Sequence, residues 1–174
     1  MTGLVRCLIA TLILSATVAH AGDRFGPLKL SRLGSGSDAP GFQLRSLDGN
    51  TIGLEQLAGR MVVLNFWATW CGPCKEEMPS LQRLQERVGA DRLAIVAITT
   101  DLQPAAISQF MQQVGATFPT LLDEDQEVSR AFMVRGLPTT ILIDREGRQL
   151  ARAVGPRAWD SPDAVALVTE LTAP

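Results

Sequence analysis

The sequence predicts an α/β fold, with a mixed central β-sheet covered by helices on both faces. Three observations lead there. Residues 62–67 and 93–99 are continuous apolar runs, the pattern of strands buried on both faces. Segments after each run place apolar residues every three to four positions, the helical period. Near the C-terminus, Asp144-Arg145-Glu146-Gly147 separates two β-rich stretches and reads as a hairpin turn. That hairpin adds antiparallel strands to an otherwise alternating strand–helix order, so the sheet is mixed.

The elements follow in chain order. Residues 22–37 contain Gly34 and Gly36 and read as a flexible lead-in. A first hairpin joins residues 41–45 to 51–53 through Asp48-Gly49-Asn50, and residues 54–57 form one helical turn ending at Gly59. The strand at 62–67 leads into a helix after Cys71, with Met78, Leu81, Leu84 and Val88 along its buried stripe. Pro79 lies inside it and predicts a kink. After the strand at 93–99, Pro104 starts a helix to about residue 114, turning Ile107, Phe110, Met111 and Val114 inward. A short strand at 118–122 and a helix at 124–133 come next. Residues 139–143 and 148–154 flank the second hairpin turn, and a helix at 161–171 closes the chain with Ser161 as its cap and Pro162 at its first position. The domain spans residues 38–174, with no internal repeat and no second domain.

The first 21 residues differ from the rest. Arg6 is followed by about a dozen mostly apolar residues, 7–19, and then Ala19-His20-Ala21, the layout of a secretory signal cleaved after Ala21. Anchoring by residues 7–19 is the weaker reading, since a spanning helix needs roughly 20 apolar residues. Cys7 stands at the start of the apolar run instead of closing it, which argues against a lipoprotein. Cleavage would remove Cys7 from the three cysteines and His20, the sole histidine. A chain without histidine has no Cys-His or Ser-His-Asp arrangement and no histidine pH switch. Losing Arg6 from the 16 basic residues leaves 15 against 18 acidic ones, a balance that does not favour nucleic acid or an anionic membrane surface as partner.

Chemistry centres on Trp70-Cys71-Gly72-Pro73-Cys74, where a buried strand hands over to a helix. A helix start is electropositive, because its first amides lack intrahelical partners and the backbone dipoles add to their field. A thiol placed there ionises more easily, and the thiolate is the nucleophile. The second thiol, one turn on, can close a disulfide with the first. A structural staple is the competing reading, but so short a ring in a domain of this size gains little chain entropy. Zinc fails on ligand count, because two thiolates without histidine cannot supply four ligands. Neither a metal nor an organic cofactor is implied. Trp67 ends the buried strand and reads as core, whereas Trp70 adjoins Cys71 and offers a flat apolar surface to an extended substrate. For Trp159 the sequence offers no argument beyond packing.

The strings FWATWCGPCKEEMP (residues 66–79) and GLPTTILID (residues 136–144) resemble the thioredoxin superfamily. The leading hairpin, LEQLAGRMVVLNFWATWC (residues 54–71), Asn65 and the inserted piece around 104–122 resemble its exported branch, the TlpA/ResA/CcmG-like thiol–disulfide oxidoreductases. The resemblance covers residues 38–172 or so and implies a thioredoxin-like fold. It makes Cys71 the exposed attacking cysteine, Cys74 the resolving one, and Cys71–Cys74 a redox-active disulfide. Pro138 matches the family's cis-proline, so Leu137, Pro138, Trp70, Gly72 and Pro73 become the substrate-binding surface. Asn65 stands where thioredoxins proper carry a buried aspartate. Glu77 matches a glutamate near the thiols in the exported branch, where a carboxylate raises thiol pKa values or shuttles the Cys74 proton. A solvated helix residue is the competing reading of Glu77.

The resemblance implies a periplasmic or otherwise extracytoplasmic oxidoreductase. Gly72-Pro73 matches the reducing members, which favours a reductase of protein disulfides. A reductase in oxidising surroundings needs electrons from a membrane thiol donor of the DsbD/CcdA kind. Its substrate would be an exported thiol protein, apocytochrome c among the candidates, in cytochrome c maturation. Three alternatives accompany this reading: a thiol oxidase or isomerase, a non-catalytic assembly factor using the Pro138 groove, and a peroxidase of the related peroxiredoxin family. The last wants a lone peroxidatic cysteine, against which the Cys-Gly-Pro-Cys pair argues.

Overall fold

The computed structural model describes residues 23–34 and 36–173. The signal read at residues 1–21, with Arg6, Cys7 and His20, lies outside them. A 3-10 turn (Gly26–Leu28) leads to β1 (Ser31–Arg32), and the hairpin β2 (Gln43–Ser46) and β3 (Thr51–Gly53) follows. After a second 3-10 turn (Leu54–Leu57) come β4 (Met61–Trp67), α1 (Gly72–Val88), β5 (Leu93–Thr99) and α2 (Pro104–Val114). The chain continues through β6 (Thr120–Leu122), α3 (Glu127–Ala131), β7 (Thr139–Ile143), β8 (Gln149–Val154) and α4 (Pro162–Leu171). No helix among these residues is long and apolar enough to cross a membrane.

The strands form one sheet in the order β1-β8-β7-β4-β5-β6-β2-β3. β4, β5 and β6 run parallel, while β7 pairs antiparallel with β4 and with β8. The sheet is mixed because helical crossovers join β4 to β5 and β5 to β6, and a tight turn joins β7 to β8. All residues of β4 and β5 are buried, which is why they read as continuous apolar runs. Alternation splits the core in two. Met61, Val63, Trp67, Ile95 and Ala97 face α1, α2 and α4, whereas Val62, Leu64, Phe66, Val96 and Ile98 face α3 and the second 3-10 turn.

The predicted stripes hold: Met78, Leu81, Leu84 and Val88 of α1 and Ile107, Phe110, Met111 and Val114 of α2 are all buried. Ser161 caps α4, its side chain accepting the Ala164 amide. α1 continues through Pro79. The proline withholds only the amide that would meet the Lys75 carbonyl one turn back.

Two segments differ from expectation. Residues 25–32 pack instead of trailing: Phe25, Leu28 and Leu30 are buried, and β1 pairs with β8. The guanidinium groups of Arg24 and Arg32 lie 5.3 and 5.2 Å from the Phe25 ring centre. Three apolar residues between glycines are too few to show a period. The helix expected at 124–133 is cut to Glu127–Ala131. The Asp123 carboxylate accepts the amides of Val128 (3.1 Å) and Ser129 (2.8 Å), delaying the start, and Gln126 and Met133 take left-handed φ values of 58° and 51° at either side.

Candidate active site

β4 ends at Trp67, and a short turn carries the chain to Cys71, the N-cap of α1. Two bonds fix that turn. The Thr69 amide donates to the Asp101 carboxylate (2.6 Å), in the loop after β5, and the Cys71 amide donates to the Ala68 carbonyl (3.1 Å). Cys71 and Cys74 form a disulfide with a Cα–Cα separation of 5.3 Å. The Cys74 amide donates to the Cys71 carbonyl (3.1 Å) and also points at Cys71 Sγ (3.3 Å), at a helix start where donors lack the usual partner one turn back. A thiolate on Cys71 would receive that bond and the field of α1, both of which stabilise negative charge.

The expected exposure of Cys71 needs correction for this oxidised form. Cys71 keeps 5% of its surface and Cys74 1%, so both residues are buried. Trp70 is 75% exposed, beside them, and Gly72 and Pro73 are exposed at the start of α1. Trp67 is buried and stacks on Phe110 with ring centres 4.5 Å apart, as a core residue does. The Leu137–Pro138 bond is cis. Thr139 pairs with Phe66, so the buried Pro138 and the half-buried Leu137 lie at the sheet end where β4 gives way to the cysteines. The loop before Pro138 is held by Arg152, whose guanidinium donates to the Phe132 (2.5 Å) and Met133 (3.1 Å) carbonyls.

Glu77 lies one turn after Cys74 and is 2% exposed, so it is no solvated helix residue. It ends a buried polar chain. Asn65 Nδ2 donates to Thr140 Oγ1 (3.0 Å), whose hydroxyl donates to Glu77 Oε1 (3.3 Å). The Trp159 indole N–H donates to the same Oε1, while Oε2 is buried without a partner among the described residues. Burial raises the Glu77 pKa from 4.5 to about 7, against the lowering pull of the Trp159 and Thr140 bonds and of the Arg157 charge. Such a carboxyl can accept or return a proton at neutral pH.

Sequence reasoning missed Trp159, Thr140 and Asp101. The Trp159–Glu77 bond joins residues 82 apart, and local patterns carry no signal for such a contact. Asp101 had one signal, a lone carboxylate just beyond a buried strand end.

The chain is similar to known proteins in sequence and fold. Residues 35–148 match the AhpC/TSA family model. The thiol–disulfide oxidoreductase ResA of Bacillus subtilis is 40% identical over 123 residues, covering 71% of this chain and 69% of that protein. The chain belongs to the ResA-like thiol–disulfide oxidoreductases of the AhpC/TSA family. Solved structures agree on the fold. A thioredoxin-family thiol:disulfide interchange protein of Chlorobium tepidum superposes with a TM-score of 0.70 at 28% identity, covering 79% of this chain and 97% of that one. StoA of Bacillus subtilis gives 0.59 at 25% identity, covering 68% and 90%. The thioredoxin-like fold expected from the two strings is therefore present. For a ResA-like protein within the AhpC/TSA family, the joined Cys71 and Cys74 argue for dithiol exchange over a lone peroxidatic cysteine.

Proposed function

We propose that the protein is an extracytoplasmic reductase of protein disulfides, working through a Cys71–Cys74 dithiol/disulfide cycle. The observation that carries the proposal is a disulfide capping α1 with a buried, readily protonated carboxyl one turn further on. Starting from the dithiol, the Cys71 thiolate attacks one sulfur of a substrate disulfide, and the other leaves as a thiolate that takes a proton from water. Cys74 then gives its proton to Glu77 and attacks Cys71 Sγ, breaking the mixed disulfide and releasing the second substrate thiolate. Two electrons pass to the substrate, and the protein is left as the disulfide described above. Trp70, Gly72, Pro73, Leu137 and Pro138 form the surface that receives the substrate chain.

Several features support the direction and setting. Gly72-Pro73 between the thiols matches the reducing thioredoxins, and residues 1–21 read as an export signal. An exported reductase is reoxidised by each substrate, so a membrane thiol donor of the DsbD/CcdA kind would restore the dithiol. An exported protein with a pair of oxidised cysteines, such as apocytochrome c awaiting haem, is the substrate class. The reduction potential of the couple tests the direction. A value below about −200 mV, on the side of thioredoxin, supports a reductase, and one at or above about −180 mV, where disulfide isomerase lies, overturns it.

A further inference from the structure

Trp159 is wholly buried on the loop between β8 and α4, yet packing alone does not account for how it is held. Its amide donates to Ser80 Oγ (3.1 Å), and that hydroxyl donates to the Glu77 carbonyl (2.7 Å). The next residue, Asp160, is gripped through its carboxylate by Arg83 (2.7 Å) and through its carbonyl by Arg87 (2.8 Å). These bonds fix the loop to α1 at the level of Glu77 and aim the indole N–H at one carboxylate oxygen. Trp67 provides the contrast within the same protein. It is equally buried, and its indole N–H has no partner among the described residues.

Two side-chain donors reach Glu77, the Trp159 indole and the Thr140 hydroxyl, and both converge on Oε1, while the Arg157 backbone and charge also favour the ionised carboxyl. The orientation of Thr140 is forced, because its oxygen already accepts from Asn65. Oε2 is left buried and without a hydrogen-bond partner among the described residues. A carboxylate that gains a proton does so on the oxygen with a free lone pair, and a donor already seated on Oε1 competes with protonation there. We propose that Trp159 is a positioning residue for proton transfer: by pinning Oε1 it leaves Oε2 as the atom that takes the Cys74 proton and returns it. The inference rests on the reading of Glu77 as proton acceptor. In the transfer the Cys74 S–H bond breaks and an Oε2–H bond forms. In the reverse step the Oε2–H bond breaks and the Cys74 S–H bond re-forms; an open cleft of about 310 Å³, lined in part by Glu77, Ser80 and Arg157, adjoins the residue.

The groups facing Glu77 come from three sides. Asn65 of β4 and Thr140 of β7 do not titrate. Cys74 precedes it on α1, and Arg157 acts on it from the β8–α4 loop. Glu76, Arg83 and Asp160 line the same cleft. An indole N–H bonded to a carboxylate favours its charged form, so removing that bond must raise the protonation midpoint.

The experiment follows the Glu77 side-chain carboxyl by ¹³C NMR against pH in the oxidised protein, with Glu77→Gln assigning the signal. In Trp159→Phe the midpoint should rise by about one pH unit, a tenfold change in the ionisation constant. An unmoved midpoint in the folded variant overturns the proposal. A second reading needs no variant: in the unaltered protein the Trp159 indole N–H resonance should shift with the same midpoint as the carboxyl, and a pH-independent resonance also overturns it. The rate at which Cys74 resolves a mixed disulfide is followed separately. Should that rate ignore a Glu77 midpoint that Trp159→Phe does move, the proton-acceptor reading of Glu77 fails, and the proton-transfer role of Trp159 falls with it.

Discussion

Replacing Glu77 by glutamine should change how folding stability depends on pH, in a direction that the buried carboxyl dictates. Its pKa rises from 4.5 to about 7 on folding, chiefly because burial disfavours the charge. Well below 4.5 the carboxyl is protonated in the folded and unfolded chains alike, and its full stabilising contribution relative to the charged form is present. Between 4.5 and about 7 the unfolded chain releases its proton while the folded chain keeps it, so stability falls as pH rises. Above that window both states are ionised and the loss is complete. At about 1.4 kcal/mol per pH unit, the window amounts to about 3 kcal/mol. Glutamine keeps the shape and cannot titrate. The assay is urea unfolding of oxidised wild type and Glu77→Gln from about pH 4 to about pH 8, taking the difference in unfolding free energy at each pH. That difference should move by about 3 kcal/mol in favour of glutamine as pH rises. Other titrating groups cancel in it. A difference that stays flat, or moves the opposite way, would refute the claim that the carboxyl is buried and titrates near neutrality.

Two further outcomes are expected. Trp70→Ala should leave unfolding free energy within about 0.5 kcal/mol of wild type, because the side chain is 75% exposed. It should lower kcat/KM for a protein disulfide about tenfold, equivalent to about 1.4 kcal/mol of lost docking; unchanged kinetics would remove Trp70 from the substrate surface. Asp101→Ala should cost about 1–2 kcal/mol in urea unfolding, since it leaves the Thr69 amide without its carboxylate partner. A neutral result would mean that the turn before Cys71 is held by other contacts.

The parts of this fold that sequence reveals are those written in local patterns. Buried strands β4 and β5 announce themselves as apolar runs, and α1 and α2 as stripes, because burial on two faces or one selects residue types at a fixed period. The cysteine pair is equally local, one helical turn from end to end. The 3-10 turn and β1 escaped because Phe25, Leu28 and Leu30 are three anchors without a period. α3 was drawn too long because composition does not reveal that Asp123 spends its carboxylate on the amides of Val128 and Ser129. The docking of the β2–β3 hairpin on β6, through Arg45 opposite Leu122, is a matter of topology that neither segment states alone. Glu77 was singled out only through a family resemblance. Its burial depends on Asn65, Thr140 and Trp159, brought together from three distant parts of the chain.

Dithiol exchange with Cys71 in front is tested most directly by trapping. Reduced Cys74→Ser protein, offered a disulfide-bonded substrate protein, should accumulate a mixed disulfide through Cys71, because the group that would resolve it is gone. Cys71→Ser, retaining only the more deeply covered Cys74, should accumulate none. Equal trapping by the two variants, or trapping by Cys71→Ser alone, would contradict the assignment of the attacking and resolving thiols.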